Sequence, residues 1–300
     1  MRVTWLAVGL VAAAVACRDE PPNQPTAVAC AGTPGVACFG AQQFVEYTAG
    51  ELPIVVSVPH GGAIAPATIP DRTVGTSVTD SNTIDLGRAI VQAFQVRTGR
   101  TPHLVLCYLR RSKLDANRDV AEAAQGNPDA VRAWTEYHGF VDQAARAVVS
   151  RHARGLYIDL HGHGHPAPRL ELGYLLSSAT LALSDLALNT GSSASNSSLR
   201  LVMPSTSSTF AEVLRGPTSV GGLLGGYTAS VPSPALPAPG DDPYFDGGYS
   251  TARHTAVLPG LQIESHFTGI RDTAANRAAF AAALVTAVTT FLATHLNLVI

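Results

Sequence analysis

The chain is 300 residues long, 46% hydrophobic and 14% charged, with a net charge of −2. That length accommodates one large domain or two small ones around a sizeable core. The near-neutral balance excludes a basic stripe for nucleic acid and an acidic interaction tail.

Arg2 leads into an apolar stretch over 3–15, and Ala14-Val15-Ala16 then precedes Cys17. This pattern predicts a signal peptide over 1–16: it is short for a bilayer span, and polar Arg18-Asp19-Glu20 follows it. The small residues before Cys17 resemble a bacterial lipoprotein box, which predicts lipidation there; a simple Ala-x-Ala cleavage site is the alternative. The expectation is an exported protein on the periplasmic or cell-surface side, touching the membrane only through a lipid anchor at Cys17. No other stretch reads as long and apolar enough to cross a bilayer. Residues 17–40 are rich in Pro, Ala and Gly and read as a tether, and 41–300 as one domain without a second linker or a repeat. In an oxidising compartment Cys30 and Cys38, flanking a Gly/Pro turn, predict a short-loop disulfide. Cys107 sits in an apolar run and reads as a buried free thiol. With no CxxC pair, a cysteine-based zinc site is excluded.

Short apolar runs bounded by turn residues predict buried strands at 52–58, 103–109, 155–160, 170–176 and 260–265. Helical patterns lie between them. One begins near Asp80 and carries Ile84, Ile90, Ala93 and Phe94 before Gly99; a second opens at Asn127-Pro128 and ends near Gly155; a third runs from about Asp272 to the C-terminus. The Ser/Thr/Ala-rich piece 177–209 and the Pro-rich piece near 231–243 read as loops. Alternating strands and helices predict an α/β sheet covered on both faces.

His60, Arg110-Arg111, His161 and Glu264 then fall at or just beyond carboxyl ends of predicted strands, where open α/β sheets bind ligands. Catalytic zinc takes about three protein ligands, usually histidine and carboxylate. His60 in "SVPHGG" and His161 in "DLHGHGH" suit that role, because tight glycine turns let a strand end face a metal closely. Asp159, two residues before His161, is placed to orient its imidazole. His163 and His165 either complete the site or belong to a solvated loop. In "RRSKLDANRD" the segment with Arg111, Asp115, Asn117 and Arg118 holds either an anionic substrate group or a local Arg–Asp network. Glu264 ends an apolar strand, where a carboxylate is expensive unless paired, hydrogen-bonded or catalytic; it is read as the general base, with Arg111 beside it in the catalytic group. Tyr249, Arg253 and His254, after Gly247-Gly248, are expected on a substrate-side loop.

"SVPHGG", "TDSNT", "RSKLDANRD", "DLHGHGH" and "LQIESHF", with "GIR" soon after, occur in the order found in the N-formylglutamate amidohydrolase family. The resemblance covers roughly residues 45–290. That family is similar to the zinc carboxypeptidases, so the resemblance implies a phosphorylase/hydrolase-like α/β/α sandwich with a mixed central sheet. It implies a Zn2+-dependent hydrolase of an amide bond next to a carboxylate, acting on a small amide or peptide. Carried over by position, His60 and His161 are zinc ligands and Glu264 the base. Asn117-Arg118 resembles the Asn-Arg pair with which carboxypeptidases grip a terminal carboxylate. Carboxypeptidases place a glutamate three residues after the first histidine, but Ala63 stands there. Asp80 of "TDSNT" matches the family's Asp-x-x-Thr element and is the expected third ligand; capping the following helix is its alternative role. A non-catalytic zinc-binding lipoprotein is the competing function, and it requires neither Glu264 nor the Arg111/Arg118 pair. A serine hydrolase is disfavoured because no Gly-x-Ser-x-Gly elbow is present.

Overall fold

The computed structural model describes residues 30–300; the signal peptide expected over 1–16 and Cys17 lie outside the described residues. The elements in chain order are β1 (Ala37–Phe39), β2 (Val45–Thr48), β3 (Ile54–Val58), α1 (Thr83–Thr98), β4 (His103–Cys107), α2 (Val120–Ala124), α3 (Pro128–His152), β5 (Leu156–Gly162) and β6 (Leu170–Gly173). There follow the short helices α4 (Ser178–Leu181), α5 (Asp185–Thr190), α6 (Ser193–Asn196), α7 (Phe210–Arg215) and α8 (Val220–Leu224), then β7 (Ser230–Val231), α9 (Tyr249–His254), β8 (Gly260–Ser265) and α10 (Ala274–Leu296).

All eight strands join one mixed sheet in the order β1-β2-β4-β3-β5-β8-β6-β7. The central four, β4, β3, β5 and β8, run parallel, whereas β2 pairs antiparallel with β4 and β6 antiparallel with β8. Parallel strands covered on both faces must be apolar on both, which is why each central strand is a nearly continuous apolar run. Alternate side chains divide between two cores. Val56, Val58, Leu104, Leu106, Ile158 and Ile263 pack with α1 and α10; Val55, Val105, Cys107 and Tyr157 pack with α3. The result is the expected three-layer α/β/α sandwich.

Three expectations are corrected. β1 lies inside the segment read as a tether: its pairing with β2 makes it the sheet's edge, and the Cys30–Cys38 disulfide ties it to the residues before it. The piece read as loop over 177–209 holds α4, α5 and α6, two of them capped by the hydroxyls of Ser177 and Ser184. Helix α10 is long and apolar enough to cross a membrane, contrary to the sequence expectation, but over half of its most apolar stretch is buried and it packs along α1 as a core helix. Cys107 is buried and free.

After β3 the chain passes through α1 to β4 on one side of β3; after β4 it passes through α3 to β5 on the other. The strand order reverses between β3 and β5, and such a switch point opens a crevice at the strands' carboxyl ends. His60 lies two residues beyond β3, and His161 is the next-to-last residue of β5.

Candidate metal centre and its cleft

His60 reaches the crevice on a turn built for close approach. A Cβ on Gly62 would meet the backbone of Tyr108 and Leu109, so only glycine lets the turn lie against the segment leaving β4. The chain then loops outward and returns at Asp80, whose N–H donates to the His60 carbonyl. That bond places the Asp80 carboxylate between the two imidazoles. His60 Nδ1 and His161 Nδ1 each lie 3.4 Å from Asp80 Oδ2, and 3.2 Å from one another. All three side chains are buried. Asp80 does not cap α1, whose N-cap is Asn82; its Oδ2 instead accepts the N–H of Gly162.

The outward nitrogens of both imidazoles face buried carboxylates. His60 Nε2 is 2.6 Å from Asp115 Oδ1, and His161 Nε2 is 3.2 Å from Asp159 Oδ2. Asp159 also accepts from Ser57 Oγ and Thr251 Oγ1, while Asp115 accepts from the Asn117 N–H and from Arg111 Nε at 2.9 Å. Arg111 Nη1 lies 3.6 Å from Asp80 Oδ1, so one guanidinium faces the carboxylates on both sides of His60.

These residues fit zinc. Ligand atoms about 2.0–2.1 Å from a tetrahedral zinc stand roughly 3.3 Å apart, the spacing of this triangle, and His-carboxylate pairs are the usual outer support of such a site. Charge argues the same way. Burial opposes ionisation of Asp80, yet His161 and His60 hold its carboxyl well below the usual range. Burial likewise opposes charge on His161, yet Asp159 and Asp80 hold its pKa well above the ordinary histidine value. Three buried carboxylates around two imidazoles favour positive charge at the point where the triangle converges.

Glu264 stands beside His161 in the β5–β8 register and opposite Glu171 of β6. Burial pushes its carboxyl up to about 8; the charges of Asp80 and Glu171 add to the rise, and His161 opposes it. Gln262 Nε2 donates to its Oε1 at 3.0 Å. Glu264, the three candidate ligands, Arg111, Asn117 and Arg118 all line one cavity of about 160 Å³, so most of the residues singled out in the sequence meet there. Arg118 is half-exposed at its wall, steadied by Glu122 Oε1 and the Asn117 carbonyl. Asn117 is fixed by Ser250, whose N–H donates to Asn117 Oδ1 at 2.8 Å.

Arg253 and His254, expected to face substrate, are placed elsewhere. Helix α9 turns them toward α3: Arg253 lies over the Trp134 ring, and His254 joins a buried chain from Asp142 to His138. Neither lines the cavity. In "HGHGH", His163 has both ring nitrogens engaged, one by the Arg169 carbonyl and one by the His165 N–H, which leaves it no lone pair for a metal. His165 contacts Glu171 and stacks on Phe245.

Two residues the sequence did not single out for the site, Arg72 and Arg271, hold its loops. Arg72 donates to the carbonyls of Thr76, Val74 and Arg111. Arg271 donates to those of Ser81, His163 and Ser265, joining the loop before α1 to the ends of β5 and β8. Each is an isolated arginine that ties its own loop to a segment far off in sequence, Arg72 to Arg111 and Arg271 to Ser81 and His163. Only the "GIR" resemblance touched one of them.

Fold and site together define a three-layer α/β/α protein with a His-Asp-His constellation at the switch point of a mixed sheet. Among solved structures it is similar to N-formylglutamate amidohydrolase from Ralstonia eutropha, at 15% identity and a TM-score of 0.47, covering 84% of this chain and 99% of that one. It is also similar to a gene product of Agrobacterium tumefaciens, at 15% identity and a TM-score of 0.47, covering 83% and 93%. A third is succinylglutamate desuccinylase from Chromobacterium violaceum, at 11% identity and a TM-score of 0.37, covering 84% and 65%. No protein-family model and no curated protein matches the chain.

Proposed function

We propose that the protein is a zinc-dependent hydrolase of the amide bond in small carboxylate-bearing substrates, such as an N-acyl amino acid or a short peptide. The observation that carries this reading is the triangle of His60 Nδ1, His161 Nδ1 and Asp80 Oδ2 opening on the same cavity as Glu264 and Arg118. His60, His161 and Asp80 would hold the zinc, which would supply Lewis acidity at the amide carbonyl.

The protein's own groups do the rest. Arg118 and Asn117 hold the substrate carboxylate at the cavity wall and so fix the amide against the triangle. Glu264 accepts a proton from the attacking water as the new C–O bond forms. It returns that proton to the amine nitrogen as the C–N bond breaks, giving a carboxylic acid and an amine. Accepting the proton requires ionised Glu264, a form that burial disfavours and a neighbouring cation favours. Arg111 keeps Asp80 and Asp115 in register around His60. A zinc store needs the triangle but neither a glutamate nor a half-exposed arginine facing it, so these two residues favour the hydrolase over the store. Export with a lipid on Cys17 belongs to the same proposal and is supported by the apolar segment 3–15 and the small residues before Cys17.

Glu264→Gln tests the mechanism. Zinc content and melting temperature should stay near wild type while kcat for N-acyl amino acids falls at least ~100-fold. Normal turnover with full zinc would remove Glu264 from the chemistry. No turnover of any N-acyl amino acid or short peptide by the zinc-loaded wild type would overturn the hydrolase reading.

A further inference from the structure

The cavity with Arg118 is not the whole cleft. A second cavity of about 300 Å³ adjoins it, and the two share Thr76, Asp80, Arg111, Gly162 and Phe245. They therefore meet at Asp80, one corner of the ligand triangle, and are otherwise lined by different residues. Their chemistry differs. The first offers Arg118, Asn117 and Glu264. The second presents three large apolar side chains to solvent: Val78 at 72% exposure, Phe245 at 43% and Phe267 at 41%.

The one arginine in the second cavity's wall besides Arg111 is Arg271, and it is buried and engaged. Its Nε, Nη1 and Nη2 each donate to a backbone carbonyl, Phe267 lies over the guanidinium, and only 3% of the residue is exposed. Phe245 belongs to both cavities and is held in place: its ring stacks on His165 at 4.4 Å, and its N–H donates to Glu171 Oε2 at 2.8 Å. Exposed aromatic rings fixed at the edge of a cleft leave a cost in hydration that a bound apolar group relieves.

Resting on the hydrolase reading above, we infer that the second cavity, walled by Val78, Phe245 and Phe267, is the acyl-side subsite and selects substrates whose acyl part carries an apolar or aromatic group of several carbons. The amino-acid half, with its carboxylate, takes the side of Arg118, and the scissile amide spans the triangle. A formyl group, a single carbon, would leave these three side chains untouched. A succinyl group would bring a charge to a wall whose two arginines are already engaged, Arg111 by Asp80 and Asp115 and Arg271 by backbone carbonyls.

The test is a series of N-acyl derivatives of one amino acid (formyl, acetyl, succinyl, hexanoyl and phenylacetyl) presented to the zinc-loaded protein. Burying a methylene is worth about fourfold, so kcat/KM for hexanoyl should exceed that for formyl by at least about tenfold. Phe267→Ala should lower the hexanoyl-to-formyl ratio by about fivefold or more while kcat/KM for formyl stays near wild type. Val78→Asp, at an exposed position with little bearing on folding, should lower the same ratio. Formyl or succinyl turned over as well as hexanoyl, or a ratio unmoved by both variants, overturns this inference and leaves the hydrolase reading standing. No turnover across the whole series overturns both.

Discussion

Replacing Asp115 by Asn probes the candidate metal centre without touching a proposed ligand. Asp115 Oδ1 accepts from His60 Nε2 at 2.6 Å and from the Asn117 N–H at 3.0 Å, and Oδ2 accepts from Arg111 Nε at 2.9 Å. Both oxygens therefore receive N–H groups. An asparagine supplies one acceptor and one donor group, so whichever way the amide turns, its NH2 confronts a donor. Facing Arg111, it leaves the guanidinium Nε unpaired; facing His60, it undoes the support that holds Nδ1 toward Asp80. Loss of such a carboxylate behind a ligating histidine weakens metal binding by ~10–100-fold, or about 1.4–2.7 kcal/mol. The buried unpaired donor lowers the stability of the metal-free protein by a further ~1–3 kcal/mol. Zinc affinity is read by competition with a chromophoric chelator and stability by thermal unfolding without metal. Asp142→Asn, in the distant chain through His254, is the matched control and should leave zinc affinity unchanged. Unaltered zinc affinity in Asp115→Asn would refute the assignment of His60 as a ligand held by this contact.

Arg118→Gln should raise KM about ten- to a hundredfold for substrates with a free carboxylate and leave their amides almost unaffected; equal losses for both would make Arg118 structural. Stability should fall on acidification through His103, whose Nδ1 accepts from Tyr47 Oη and the Gly50 N–H only while unprotonated. Burial lowers its pKa from 6.5 to about 4, so the unfolded chain takes up the proton first. The His103 contribution is then complete above pH 6.5 and lost between 6.5 and 4, at most about 3 kcal/mol. His103→Gln should flatten the decline of the denaturation midpoint across that window, and an unchanged slope would contradict this. Cys17→Ser should release the protein from membranes or block its processing, whereas wild-type protein recovered soluble with an unmodified N-terminus would exclude the anchor.

The central strands were legible because burial on both faces writes them as apolar runs. β2 was not: Glu46 interrupts "FVEYT", and it is buried only because Arg88 and Tyr108 reach it from other elements. β7, two residues long, carries no period. In the site, His60, His161 and Glu264 were readable as polar residues at the ends of those runs. Asp80 was reached only through the family resemblance, since nothing local distinguishes a helix cap from a ligand; the difference lies in a backbone bond to His60, twenty positions away. Arg253 and His254 misled for the converse reason. They sit beside a Gly-Gly turn that does line the cavity, but one turn of α9 later their side chains point into the Trp134 and Asp142 environment. Direction around a short helix depends on what it packs against, which is far off in sequence.

The division of labour within the cleft bears on how such a protein can change. His60, His161 and Glu264 sit in or just beyond paired strands, and shifting any of them would disturb the sheet. Val78, Phe245 and Phe267 lie on connecting segments that contribute no rung to its ladder. Loop positions accept substitution more readily than the scaffold beneath them. On the proposed reading, substrate range can therefore drift by exchange of these three side chains while the ligand triangle and the stability of the domain stay constant, so that close relatives sharing every ligand would differ in what they cleave.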